Sequence, residues 1–184
     1  MTMVNTIYGP VPQQVIDKAQ PIKLLICDVD GVLSDGSIYL GNQGEEFKAF
    51  NVKDGFGMQA LRNAGVEIAI ITGRSSQIVS DRMASLGITQ VWQGVKDKLE
   101  RFEYLLNELE LSAREVAYIG DDLVDLPVME QCGLSVAVAD AHPLLQPKAD
   151  WITQTDGGRG AVRELSDLLL FAQGKLEQAT GLSL

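Results

Sequence analysis

Four short apolar runs stand out along the chain, at residues 23–28 (KLLICD), 66–72 (VEIAIIT), 116–120 (VAYIG) and 134–138 (LSVAV). Each runs into acidic residues, threonine or glycine. Apolar runs of this length without alternation read as strands buried on both faces. Shorter edge strands are expected at 88–92 and 151–153. Between the runs, apolar residues recur at helical spacing. Leu99, Phe102, Leu105, Leu106 and Leu109 mark one helix, and Asp97 with Glu100 has the spacing of a capping box at its start. Ile78, Val79, Met83 and Leu86 mark another, stopped by Gly87. Asp54 is placed to cap a helix that carries Met58 and Leu61 and ends at Gly65. Val162, Leu165, Leu168, Leu169 and Ala172 give a last helix.

Strands alternating with helices predict an α/β fold, a three-layer Rossmann-like parallel sheet with helices on both faces. Ligands of such sheets bind at the carboxyl ends of the strands. One segment breaks the alternation. Residues 38–40, a turn at 41–44 and residues 45–50 read as a β-hairpin, at about 37–50, projecting from the sheet. Residues 1–20, interrupted by Pro10 and Pro12, read as an N-terminal arm with a short helix near 13–19. The main α/β unit is expected over 21–174, with a C-terminal tail at 175–184.

A length of 184 residues suits one domain with one core. The formal net charge of −10 argues against nucleic acid as a partner, because phosphate backbones need clustered Lys and Arg. An anionic substrate would need positive charge gathered locally. Cys27 and Cys132 are far apart and form no metal-binding pattern, so they read as reduced thiols of a cytosolic protein. The N-terminal residues lack the apolar core of a secretory signal, and no run is long enough to span a membrane.

The unusual polar residues lie where the runs end. The first gives Asp28-Val29-Asp30-Gly31, the second Thr72-Gly73-Arg74, and the third Gly120-Asp121-Asp122 with Asp125 just beyond. Lys96 and Lys98 precede the Leu-rich helix. Carboxylates gathered at one sheet edge repel each other unless a cation neutralises them. An all-oxygen donor set suits a hard ion such as Mg²⁺.

These motifs, D-x-D-G-V, a strand-terminal Thr, a later Lys and G-D-D-x-x-D, resemble in kind and order the four motifs of the haloacid dehalogenase superfamily. Longer stretches, D-V-D-G-V-L-S-D-G, F-N-V-K-D-G-F-G, I-T-G-R-S-S and V-A-V-A-D-A-H-P, resemble its capless phosphatases of a sugar acid, 3-deoxy-D-manno-octulosonate (KDO) 8-phosphate. The resemblance implies roles. Asp28 would attack phosphorus, and Asp30 would serve as general acid and then base. Mg²⁺ would be held by Asp28, the Asp30 backbone carbonyl and Asp121. Thr72 and Lys98 would bind the phosphoryl group, with Lys98 preferred over Lys96. Asp125, and less clearly Asp122, would orient these groups. Asn51, Val52, Lys53, Asp54, Gly55, Gly73, Arg74 and Arg82 would contact the sugar acid, the two arginines suiting its carboxylate.

The gaps from Asp30 to Thr72 and from Thr72 to Lys98 are too short for a cap domain. The resemblance implies a homotetramer with packed hairpins, in which the Gly157–Gly160 segment and the C-terminal residues approach a neighbour's site. The bland reading of Gly157-Gly158 is a loop before the last helix. Two alternatives share much of the constellation. One is a phosphatase acting on a sialic acid or KDN 9-phosphate. The other is a phospho-acceptor signalling domain, whose motifs come in a different order. The lone His142 reads as a loop or helix-start residue, and the phosphatase mechanism implied by the resemblance does not need it.

Overall fold

Leu24-Leu25-Ile26-Cys27 offers no polar face, and all four side chains are buried. A strand of this kind must be covered on both sides, and the rest of the chain supplies the cover. The structure, a computed structural model, describes residues 2–179. Strands β1 (Met3–Thr6) and β2 (Gly9–Pro12) are followed by α1 (Gln13–Ala19) and β3 (Leu24–Cys27). A small hairpin of β4 (Tyr39–Leu40) and β5 (Glu46–Phe47) comes next. Then come α2 (Val52–Asn63), β6 (Glu67–Ile71), α3 (Gln77–Ser85), β7 (Gln90–Trp92), α4 (Lys98–Glu108) and β8 (Val116–Gly120). The chain closes with α5 (Leu126–Met129), β9 (Leu134–Ala137), β10 (Trp151–Ile152), α6 (Ala161–Ala172) and α7 (Leu176–Ala179).

Six strands form one parallel sheet in the order β10-β9-β8-β3-β6-β7. Helices α1, α2 and α6 pack together on one face, and α4 and α5 pack together on the other. From β3 the chain winds outward through β6 to β7. It then crosses back to β8 and winds the other way. The order therefore reverses between β3 and β8, and a crevice opens at their carboxyl ends. The described residues contain no inserted cap domain; only the hairpin and α2 lie between β3 and β6.

The six strands lie where the apolar runs predict, shortened by a residue or two at most ends. Two expectations are corrected. Residues 1–20 are not a loose arm: β1 and β2 pair antiparallel, and Val11, Val15, Ile16 and Ala19 are buried against the body. Pro10 and Pro12 are tolerated because a two-stranded ribbon leaves one side of each strand without a partner. Helix α2 is capped by Asn51, whose side chain accepts the Lys53 N–H at 2.9 Å. Asp54 lies one turn inside. The side chain of Asp97 caps α4 as expected, accepting from Leu99 and Glu100 at 3.0 and 3.1 Å.

Leu25 is fully buried on the central strand. Its replacement by Ala should cost about 2–5 kcal/mol, read from urea unfolding, because the surrounding layers cannot collapse into the gap. A cost in the range of surface substitutions, about 0.5 kcal/mol, would contradict this packing.

Candidate active site

Because β3 and β8 are neighbours, the residues just past their ends emerge side by side. Cys27 is level with Ile119, and the Asp28 N–H donates to the Ile119 carbonyl at 3.2 Å. One carboxylate oxygen each from Asp28, Asp121 and Asp125 lies within 4.8 Å of the others. Gly31 makes this approach possible. Its φ is +92°, and a Cβ there would sit 2.1 Å from an Asp121 carboxylate oxygen. Gly157 closes the same loop from behind: its N–H donates to Asp140 at 2.8 Å, and a Cβ would sit 1.7 Å from the Gly31 carbonyl oxygen. The Gly157-Gly158 turn thus packs on the Gly31–Asp35 loop of its own chain. Residues 180–184, expected to approach a neighbour, lie outside the described residues.

Lys98 is the first residue of α4, and it is buried. Its Nζ lies 2.9 Å from an Asp28 oxygen and 2.7 Å from an Asp125 oxygen. The same Asp125 oxygen accepts the Tyr118 hydroxyl at 2.6 Å. The other accepts the backbone N–H groups of Asp121 and Asp122 at 3.0 and 3.2 Å. Asp125 is close enough to count among metal ligands, yet both its oxygens are engaged. It braces Lys98 and the Asp121 loop. Lys96, by contrast, is exposed. Asp122 is exposed too, and its side chain accepts the Leu123 N–H at 2.7 Å, capping the turn that follows.

The electrostatics are those of a site short of positive charge. Burial pushes the Asp28 carboxyl up to about 6, against the pull of Lys98. Burial, then the charges of Asp28 and Asp125, push Asp121 up to about 8. Burial alone would lower the Lys98 ammonium, but Asp28 and Asp125 hold it above its ordinary value. One lysine thus faces three carboxylates. No protein donor reaches the Asp121 carboxylate among the described residues. A hard divalent cation fits this donor set, and Asp28 and Asp121 are the carboxylates free to hold it.

A cavity of about 270 Å³ opens over the cluster, lined by Asp28, Asp30, Thr72, Lys98 and Asp121, with Gly73, Arg74 and Lys96 at its side. Thr72 follows β6 directly and is buried, and its hydroxyl makes no hydrogen bond within the described residues. Asp30 is held by a group that its sequence position did not advertise. Lys48, just past β5, donates to one Asp30 oxygen, and its side chain has no exposed surface. Arg74 lies 3.9 Å from the other oxygen. Glu46 faces both cations, 3.7 Å from Lys48 and 3.9 Å from Arg74.

Six expected sugar contacts do not line this cavity. Asn51 caps α2, and Val52 and Lys53 are exposed in its first turn. Asp54 is buried and accepts the Arg163 N–H at the start of α6, at 2.8 Å. Burial pushes its carboxyl up to about 6. Arg82 packs against Gly55, where a Cβ would meet its guanidinium at 2.5 Å.

A parallel sheet with a reversal at its centre, and an aspartate pair beside a buried lysine at that reversal, define a haloacid dehalogenase-like hydrolase. The model of that family matches residues 90–165. A curated relative from Escherichia coli K12, the 3-deoxy-D-manno-octulosonate 8-phosphate phosphatase KdsC, is 61% identical over 97% of this chain and 95% of its own. The crystal structure of the phosphatase of the same description from Yersinia pestis is 60% identical. It superposes with a TM-score of 0.97 over 100% of this chain and 99% of that one. A third structure, from Moraxella catarrhalis, is described as this phosphatase in complex with magnesium ion, phosphate ion and KDO. It is 43% identical, with a TM-score of 0.89, and covers 91% of this chain and 97% of that one. The chain belongs to the haloacid dehalogenase-like hydrolases and, within them, to the family of these phosphatases.

Folding raises the Asp28 and Asp121 carboxyls above their ordinary range, so the folded chain binds those protons more tightly than the unfolded one. Without a cation, both groups therefore cost stability as pH climbs from about 4 towards about 8. Asp121→Asn removes most of that cost. In chelator near pH 8 the variant should melt above the parent, near pH 4 the two should converge, and Mg²⁺ should raise only the parent. A variant that melts below the parent at pH 8 in chelator would contradict the repulsion.

Proposed function

We propose that this chain hydrolyses KDO 8-phosphate to KDO and inorganic phosphate through an aspartyl-phosphate on Asp28. The observation that carries the reading is the buried Lys98 between Asp28 and Asp125, at the floor of a cavity also lined by Asp30, Thr72 and Asp121. The relatives' described activity supplies the substrate.

In this reading Asp28 forms the new bond to phosphorus while the bond to the sugar oxygen breaks. Lys98 and the Thr72 hydroxyl receive the phosphoryl oxygens and stabilise their developing charge. Asp30 gives its proton to the departing sugar oxygen. It then takes one from the water that releases phosphate from Asp28. A Mg²⁺ ion held by Asp28, Asp121 and the Asp30 carbonyl, when bound, would offset the repulsion between the nucleophile and the phosphate. Arg74, exposed at the mouth, is the cation offered to the sugar carboxylate.

The reading includes a homotetramer. Tyr39, Leu40 and Phe47 on the hairpin and Val52 beside it are 59%, 75%, 61% and 79% exposed, a cluster of apolar surface that an assembly would cover. A cytoplasmic location and a role in lipopolysaccharide synthesis belong to the same reading and come from the resemblance.

Phosphate release across a panel of sugar phosphates should show KDO 8-phosphate turned over faster than sialic acid or KDN 9-phosphate. Asp28→Asn should abolish turnover, and chelation should stop it reversibly. Faster hydrolysis of a nine-carbon substrate would overturn the choice of sugar. Near-parental activity of Asp28→Asn would overturn the covalent step. Phe47→Glu together with Leu40→Glu should break the assembly into smaller species by light scattering; an unchanged mass would contradict the hairpin's role.

A further inference from the structure

We infer that Lys48 is a positioning residue for Asp30, tying the general acid to the hairpin beside the pocket. The inference deepens the proposed reaction and rests on Asp30 being its acid.

Lys48 lies beyond the sheet, yet its side chain runs back to the pocket and is completely buried. A buried ammonium needs a partner, and Asp30 is the one within hydrogen-bonding distance. Glu46 at 3.7 Å and Arg74 at 3.9 Å from Asp30 complete a ring of alternating charge. One Glu46 oxygen in that ring is buried without a hydrogen bond, so charge rather than hydrogen bonding holds it there. The two oxygens of Asp30 are therefore not equivalent. Lys48 engages Oδ1, which leaves Oδ2 as the oxygen able to carry the proton to the sugar.

Asp30 sits on the loop after β3 and is only partly buried. Apart from Arg74 at 3.9 Å, no other described cation is paired with its carboxylate. A general acid contributes only when its proton is held within reach of the leaving atom, and that placement is worth on the order of 10²–10⁴-fold. Lys48 acts through Asp30 and does not itself line the cavity. Phe47, its neighbour in sequence, belongs to the exposed apolar surface of the hairpin. Whatever fixes the hairpin thereby fixes Asp30.

The test separates this role from a general loosening of the pocket by changing the leaving group. During the first step the bond from phosphorus to the leaving oxygen breaks, the bond to Asp28 forms, and the Asp30 proton passes to that oxygen. A sugar alkoxide needs the proton, whereas the nitrophenolate of p-nitrophenyl phosphate departs without it. We compare kcat/KM, which reports steps up to the aspartyl-phosphate, for KDO 8-phosphate and p-nitrophenyl phosphate. The enzymes are the parent, Lys48→Met, Lys48→Arg and Asp30→Asn, each with its melting temperature and Mg²⁺ dependence.

Lys48→Met should lose roughly 10-fold or more on the sugar phosphate and less than about 3-fold on the aryl phosphate, with Asp30→Asn showing the same selective pattern more strongly. Lys48→Arg should restore much of the loss. Equal losses on both substrates for Lys48→Met, or none, while Asp30→Asn remains selective, would overturn the role of Lys48 alone. Equal losses for Asp30→Asn would overturn the reading of Asp30 as acid, and the inference with it. If Lys48→Met fails to fold, Lys48→Gln decides: equal losses on both substrates, or none, count against the inference, and a loss confined to the sugar phosphate supports it.

Discussion

The buried contact of Lys98 with Asp28 and Asp125 is the interaction on which the pocket depends. An ammonium and a carboxylate taken out of water cost several kcal/mol each unless the geometry around them is complete. Here it is: Tyr118 and two backbone N–H groups satisfy Asp125, and Asp125 in turn fixes Lys98 against Asp28. Removing Lys98 would leave both carboxylates buried without their cation. The same contact leaves the site short of positive charge, since one lysine faces three carboxylates and no protein donor among the described residues reaches the Asp121 carboxylate. That shortage gives a divalent cation a reason to bind there.

The fold supplies the place for this contact. Reversal of strand order between β3 and β8 leaves their carboxyl ends open, and only residues just past those ends can meet. Gly31 and Gly157 let three loops approach more closely than any Cβ would allow. The hairpin then brings Lys48 to Asp30, which lines the opening. With no cap domain among the described residues, shielding of the reaction from water falls to the substrate and to whatever covers the hairpin's apolar surface.

Much of this was legible in the chain, and the reasons differ by residue. Continuous apolar runs mark doubly covered strands, so β8 falls on its expected residues. The acidic and Thr motifs stand at strand ends, where α/β sheets bind ligands, so Asp28, Thr72 and Asp121 could be read together. Lys98 and Lys96 were distinguishable only by resemblance. The structure separates them because Asp97 caps α4 and turns its first residue inward. Asn51 and Asp54 are both capping types, and spacing did not say that Asp54 serves the start of a different helix, α6. Proline content hid the β1–β2 ribbon, since the argument against Pro in strands fails at an edge. Lys48 carried no signal at all. Its alternating polar neighbours describe a solvated hairpin, and only the approach of that hairpin to Asp30 reveals its partner.

Together these constraints describe a pocket in which charge, not shape, selects the reaction: a nucleophilic carboxylate held by a buried lysine, with a second carboxylate positioned for proton transfer. The most direct measurement is a crystal structure of the chain grown with Mg²⁺ and beryllium fluoride, which mimics a phosphoryl group on a carboxylate. The account predicts density for the mimic on the Asp28 side chain, facing Lys98 and Thr72, with the ion between Asp28 and Asp121. A mimic bound to another residue, or an ion seated away from both aspartates, would contradict it.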